Sequence, residues 1–391
     1  MVHGAVSMSF LLAPLAAQTT WIVNADGGPG VQFTTLAAAV AAAADGDTIV
    51  CQQPLFGTSL GGFTTSKGLT IVGDHNGVPL TTIATPIQIL GLPAGRTFRM
   101  AGFQAVIDGE LRIGVHNCLG RVELDNLQAR EPDWFFPTTP AIDIANSASV
   151  VLRDVVDFGT PAVRVQSSRV VLTTCWLGMT RTDLGGGPCL WTDGAEVDIV
   201  QPNFRTGGLV QSPTAAWAAI ASTNSVLRVA GLGTSLVSGG PPGSATGGSA
   251  IVANGGSVTI DPAVVLTSGV GSPLVTGTAS FVTARVLATW TTVPARPGQL
   301  LVFATTAPAG AVWLALGVPG PLTATTLGSL GIDAGAGYAM FGVQTTSGLL
   351  PVMHLVPVPP SLPLGQAFAA QSLSWDGSSL QLGAPVTFVV Q

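Results

Sequence analysis

The chain has 391 residues, room for two or three domains, and a formal charge of −6 from 14 basic and 20 acidic residues. Charged residues make up only 9% and Lys67 is the one lysine, so nothing resembles a phosphate-neutralising basic patch and nucleic acid is not expected as a partner. With 47% hydrophobic residues the chain has ample material for a core, which argues against disorder. Its 50 glycines, with many Thr, Val and Ala, suit an all-β protein of many short strands.

Residues 1–17 read as a secretory signal: Ser9 to Ala17 is an apolar run ending in Leu15-Ala16-Ala17, suited to cleavage before Gln18. The segment has no Lys or Arg, and the alternative is a buried N-terminal strand. The run is too short to span a bilayer and no later stretch is long enough, so a secreted or cell-surface protein without a membrane span is expected. Residues 18–53 then read as strand (Trp21-Ile22-Val23), turn (Asp26 to Gly30), helix (Phe33 to Ala44) and strand (Thr48-Ile49-Val50). Thr34 or Thr35 can cap the helix, Leu36, Val40 and Ala43 form its apolar stripe, and Asp45-Gly46-Asp47 ends it.

From 54 to 140 the strands are less regular, with inward pairs expected at Phe98/Met100, Leu111/Ile113 and Val122/Leu124. From Ala141 to Ile260 one pattern recurs: an apolar residue, a small polar corner, then two apolar residues about seven and nine positions on. The copies are Ile142/Val150/Leu152, Val163/Val170/Leu172, Leu190/Val197/Ile199, Ile220/Leu227/Val229 and Ile251/Val258/Ile260. Between corners the alternation has period two, which is strand geometry. Strands this short bury no core alone, but stacked copies make a coil of parallel strands around a dry apolar bore. Ile142, Val163, Leu190, Ile220 and Ile251 should then form one inward ladder. The same register sets Asp143 beside Arg164, Arg169 beside Glu196 and Asp198 beside Arg228, three opposite-charge neighbours from a choice made on apolar residues.

The order Trp21-Ile22-Val23, Asp26-Gly27, Phe33-Thr34-Thr35-Leu36, an Ala-rich helix, then Asp45-Gly46-Asp47-Thr48-Ile49-Val50 resembles the N-terminal cap of the pectin-lyase-like proteins, and Gly68 to Gly73 resembles their next rung. The resemblance covers residues 20–280 or so. It implies a right-handed parallel β-helix over 18–285 whose N-terminal helix covers the open bore end, on a fold that carries lyases, hydrolases, esterases, adhesins and stalks. From about Ser280 the rhythm stops, and Pro294 to Gly298 reads as a boundary. Short strands at Leu300–Phe303, Val312–Leu316, Tyr338–Val343, Met353–Val356, Phe368–Leu373 and Val386–Val390 read as a β-sandwich over 295–391. With Pro357-Val358-Pro359-Pro360 and Gln371, this part resembles C-terminal modules of exported planctomycete-type proteins.

The four cysteines suggest disulfides in an exported protein: Cys175 and Cys189 bracket one loop excursion and make the better pair, with Cys51 and Cys118 the remainder and buried thiols the alternative. His3, His75, His116 and His354 have no partners by spacing. Sugar cleavage on such a coil needs carboxylates on adjacent rungs, often with an Arg. Asp143, Glu196 and Asp198 are outward but matched to Arg164, Arg169 and Arg228, while Asp154, Asp157, Arg181 and Asp183 stand in corners or loops, with Arg153 beside Asp154. Trp134, Phe135, Phe136, Trp176 and Trp191 lie in or beside excursions, where flat rings either take sugar faces or pack loops onto the coil. The expected function is binding of extracellular polysaccharide, or a surface structural role, by a monomer without cofactor or metal. The alternative is a polysaccharide lyase or glycoside hydrolase working between Asp143 and Asp198, with calcium under the lyase reading; whether the chain is an enzyme stays open. Limited proteolysis is expected to cut near Pro294–Gly298 and leave two folded pieces, and a single uncleavable unit would contradict the two-part organisation.

Overall fold

A computed structural model describes residues 18–52, 59–74, 81–82, 86–106, 113–130, 140–157, 161–178, 187–205, 217–232, 236–239, 248–269, 271–291, 295–348, 350–362 and 366–390. Residues 20–283 form a parallel β-solenoid of about seven turns. Each full turn lays down three strands, and equivalent strands of successive turns pair in parallel. The first face contains Ile142–Ala145, Val163–Gln166, Leu190–Asp193 and the first halves of Ile220–Ala230 and Ile251–Ile260. The second contains Ser149–Arg153, Arg169–Thr173, Glu196–Val200 and the second halves of the same two long strands. The third contains Val156–Asp157, Trp176–Gly178, Asn203–Arg205, Leu236–Ser238 and Val265–Thr267.

The expected ladder is present: Ile142 pairs with Val163, Val163 with Leu190, Leu190 with Ile220 and Ile220 with Ile251, and Ile113 and Ile87 extend it toward the N-terminus. All these side chains are at most 4% exposed, so the ladder is a continuous stack of branched aliphatics shut off from solvent. Of the expected pair Leu111/Ile113, only Ile113 can be placed, and it faces inward. Ile113 and Val115 are the inward pair of their strand, and Leu111 lies outside the described residues.

The corners explain why the chain turns in step. Between the first and second faces, Asn117, Asn146, Ser167, Gly194, Asn224 and Gly255 stack in the left-handed region, with φ from 45° to 70°. Most L-residues resist that conformation, whereas Asn and Gly tolerate it. The next residue closes the free backbone donors: the Ser147 hydroxyl accepts from Cys118 N–H (3.3 Å), that of Ser168 from Ser147 N–H (2.9 Å), and that of Ser225 from Ala195 N–H (3.1 Å). A second left-handed ladder of Asn126, Asp154, Thr174 and Gln201 turns the chain onto the third face.

The N-terminal end is covered by the helix Leu36–Ala42, shorter than the sequence suggests, with Thr35 as its cap accepting from Ala38 N–H at 3.3 Å. Leu36, Ala39 and Val40 face the bore. Lys67 closes the other end of the helix: its Nζ donates to the carbonyls of Val40 (2.9 Å), Ala41 (2.9 Å) and Ala43 (2.7 Å), groups a helix end leaves without partners.

Beyond the coil, Ala288–Trp290 begins the antiparallel part, ahead of the boundary read from the sequence. One sheet orders Ala288–Trp290, Leu300–Thr306 and Val352–Pro357; a larger one orders Tyr338–Thr346, Gly310–Gly317, Ala367–Trp375 and Leu380–Leu382, with Val386–Val389 also on Ala367–Trp375. Leu301, Phe303, Leu314, Leu316, Val386 and Phe388 fill the space between them. The hairpin Pro319–Thr325/Gly328–Ile332 was not foreseen. The sandwich does not hang from the coil but lies along its second face. Leu322 packs on Val151 and Val171, Trp290 and Ala304 pack with Val200 and Ala230, and Leu322 N–H donates to Ser149 Oγ at 3.0 Å.

The expected disulfide between Cys175 and Cys189 is absent; all four cysteines are buried thiols. Cys175 sits at the corner between the second and third faces and donates to Leu152 O and Thr173 O, and burial pushes its thiol up to about 12. Cys189 precedes the first face, its carbonyl accepting from Val163 N–H. The strand Trp176–Gly178 runs between the two corners, so closeness in sequence does not bring the sulfurs together. A hydrogen bond to a charged group contributes ~1.5–3 kcal/mol, but water replaces most of the three at this partly exposed end, so Lys67→Met should lower stability by about 2 kcal/mol, read as a lower urea midpoint with unchanged slope.

Candidate functional site on the uncovered first face

With the second face occupied by the sandwich, the first face presents its outward side chains to solvent. One column runs Gln88, Gly114, Asp143, Arg164, Trp191; the next runs His116, Ala145, Gln166, Asp193. In parallel stacking these neighbours are roughly 4.8 Å apart along the coil. Arg164 Nε and NH2 donate to Asp143 Oδ1 (2.7 Å) and Oδ2 (2.6 Å), a two-point fork. His116 Nε2 lies 3.2 Å from Asp143 Oδ2, so a histidine without partners by spacing proves to be part of the cluster. Gly114 leaves the room that Gln88 uses: a Cβ there would stand 2.2 Å from the Gln88 amide oxygen.

The electrostatics follow from this geometry. Partial burial acts to raise the Asp143 carboxyl, but the Arg164 hydrogen bonds and charge, with His116 beside them, outweigh it and hold the group below the usual carboxylate range. Arg164 is raised by the same bond. A general acid in sugar hydrolysis needs the opposite shift. Among the described residues the other outward carboxylate of this face is Asp193, two rungs and two residues away. That places it about 12 Å from Asp143 by strand spacing, beyond the roughly 5–9.5 Å over which paired catalytic carboxyls work.

The other expected candidates do not join this cluster. Asp154 is the left-handed corner residue on the far side of the second face, accepting from Thr174 Oγ1 with Arg153 NH1 at 3.6 Å, so it is not the unpaired acid the sequence suggested. Asp157 pairs through its backbone with Ala129 and Leu177 on the third face. Trp176 is on the third face too, 42% exposed. Trp134, Phe135, Phe136, Arg181 and Asp183 lie outside the described residues. Arg169 bonds Glu196 at 2.8 Å, and Arg228 bridges Glu196 (2.6 Å) and Asp198, as the ladder reading required.

The second face holds charges that the sequence reading missed. Glu123 accepts from Arg99 (2.7 Å) and Arg121 (2.5 Å), Arg153 bonds Asp125 at 2.6 Å, and Arg121 and Arg153 are at most 2% exposed beneath the sandwich. Burial acts to raise Glu123 but the two arginines outweigh it; at Asp125 burial wins and the carboxyl is pushed up to about 6. A cavity of about 210 Å³ opens between this face and the sandwich, lined by Asp198, Arg228, Arg285, Leu287, Leu327 and Leu382. Its arginines are already ion-paired, Arg228 with Asp198 and Arg285 with Asp261. Among the described residues no three His, Cys, Asp or Glu side chains could hold a metal ion, and no helix is long and apolar enough to cross a membrane.

No family model matches the chain, and no curated protein matches it. Among solved structures it is similar to tailspike protein 2 of Escherichia coli O157:H7 bacteriophage CAB120, with a TM-score of 0.33 and 11% identity over 96% of this chain and 64% of that one. The chain therefore spans somewhat under two thirds of the tailspike's length.

Arg164→Ala should cost about 1 kcal/mol or less, as for exposed pairs, with melting temperature the readout. Asp143 ionises more readily folded than unfolded, so its contribution is complete above the unfolded value near 4 and is lost as pH falls through the lower folded value. Asp143→Asn should therefore flatten the acid limb of the stability–pH curve.

Proposed function

We propose that this chain is an exported, monomeric β-helix of the pectin-lyase-like type that binds extracellular polysaccharide along its first face without cleaving it. The observation that carries this reading is the state of Asp143: forked by Arg164, touched by His116 and held as a carboxylate, it is suited to accept hydroxyl hydrogen bonds and unsuited to deliver a proton. Trp191, one rung on, supplies a flat apolar surface beside these polar groups, the pairing a sugar ring uses. Export is supported by the apolar run from Ser9 to Ala17 and its small terminal residues. The sandwich, of the type found in exported planctomycete-like proteins, serves in this reading as a cover for the second face.

A glycan array probed with the full chain should show binding, and Trp191→Ala should weaken it about tenfold, or ~1.4 kcal/mol, with the melting temperature unchanged. Reducing ends or unsaturated products released from a bound polysaccharide would contradict binding without turnover.

A further inference from the structure

Among the described side chains, the arginines of the coil are almost all consumed. Each one whose side chain is described forms an ion pair with a carboxylate, except Arg205. Arg205 ends the third-face strand Asn203–Arg205 and is exposed. Its Nε donates to Asn203 Oδ1 at 2.9 Å, on its own strand. That bond fixes one edge of the guanidinium and leaves the two terminal nitrogens as a fork, the shape that matches a carboxylate or sulfate. One rung back, Trp176 pairs with Asn203 and Gly178 pairs with Arg205. Inward Leu177 and Phe204, both fully buried, anchor the two strands between them. Trp176, Asn203 and Arg205 therefore share one outward surface, ring and guanidinium on a diagonal of roughly 7–8 Å, and Gly178 places no side chain on it.

We infer that Trp176, Asn203 and Arg205 form a subsite for an acidic sugar, the ring lying on the indole and its carboxylate or sulfate taken by the Arg205 fork. The inference rests on the polysaccharide-binding reading and adds the ligand's charge and a second face. It also separates the two arginine–tryptophan pairs. At Arg164 the fork is already filled by Asp143, so the first face reads hydroxyls; at Arg205 no carboxylate among the described residues fills the fork, so the third face reads charge. The net charge of −6 gives no general attraction for an anionic polymer, so selectivity has to come from such a local group.

The test measures affinity of the full chain for polygalacturonate, dextran sulfate and neutral dextran. Wild type is compared with Arg205→Gln, Trp176→Ala and, as a charge-matched control, Arg96→Gln, which removes an exposed arginine elsewhere on the coil. Arg205→Gln should weaken binding of an anionic polymer at least tenfold with melting temperature and neutral-polymer binding unchanged. Loss confined to polygalacturonate assigns a carboxylate, loss confined to dextran sulfate a sulfate. An equal loss in Arg96→Gln would overturn the subsite by showing diffuse electrostatics. Polysaccharide binding that Arg205→Gln leaves intact would overturn the subsite alone, and a wild-type chain that binds no polysaccharide on the wider array would overturn both readings.

Discussion

In a parallel coil stacked in register, a side chain's nearest outward neighbours are its own equivalents one turn up and one turn down. Two features impose that register here: the apolar ladder through Ile142, Val163, Leu190, Ile220 and Ile251, and the left-handed corner ladder from Asn117 to Gly255. A slip of one residue would turn the branched side chains out and the charges into the bore. The outward surface is thus a lattice whose neighbours are not free to choose one another. Like charges on adjacent rungs would repel at close range, and the chain answers with alternation: Asp143 against Arg164, Arg169 against Glu196, Asp198 against Arg228.

The second face follows the same rule under harsher conditions. Arg121 and Arg153 lie beneath the sandwich, where an uncompensated charge would cost several kcal/mol, and each is matched to an acid on its own or a neighbouring rung. Arg121 NH1 and Arg169 NH1 also donate to Gly320 and Leu322 carbonyls of the hairpin, so the coil's charge lattice extends into the module that covers it. Covering one face in this way decides which faces remain for ligands. The first face keeps an ion-paired cluster beside a tryptophan, and the third keeps an arginine that is ion-paired with no acid among the described residues.

The coil was legible because its signal is redundant: five copies of one spacing, with the charge matches as a check on the apolar choice. The sandwich strands were legible from alternation and turns, but their position was not, since docking joins residues far apart in the chain, Leu322 with Val151 and Val171 and Trp290 with Val200. A trace of it was present in Val151 and Val171, outward positions filled by aliphatics within Ser149–Arg153 and Arg169–Thr173; unbroken apolar runs of that kind mark strands covered on both sides. His116 was hidden because the repeat was aligned only from Ala141 onward; pairing Ile113 with Ile142 sets His116 one rung from Ala145 and diagonal to Asp143. The cysteines misled because parity and proximity in sequence ignore which corner of a coil each thiol occupies.

The central claim is that one register makes Asp143 and Arg164 neighbours, and a charge-exchange cycle tests it most directly. Asp143→Arg, Arg164→Asp and the double exchange would be compared by thermal unfolding. The account predicts that each single change lowers the melting temperature and that the double exchange recovers much of the loss, a coupling of about 1 kcal/mol or more. Strictly additive losses in the double exchange would contradict the register on which the site is built.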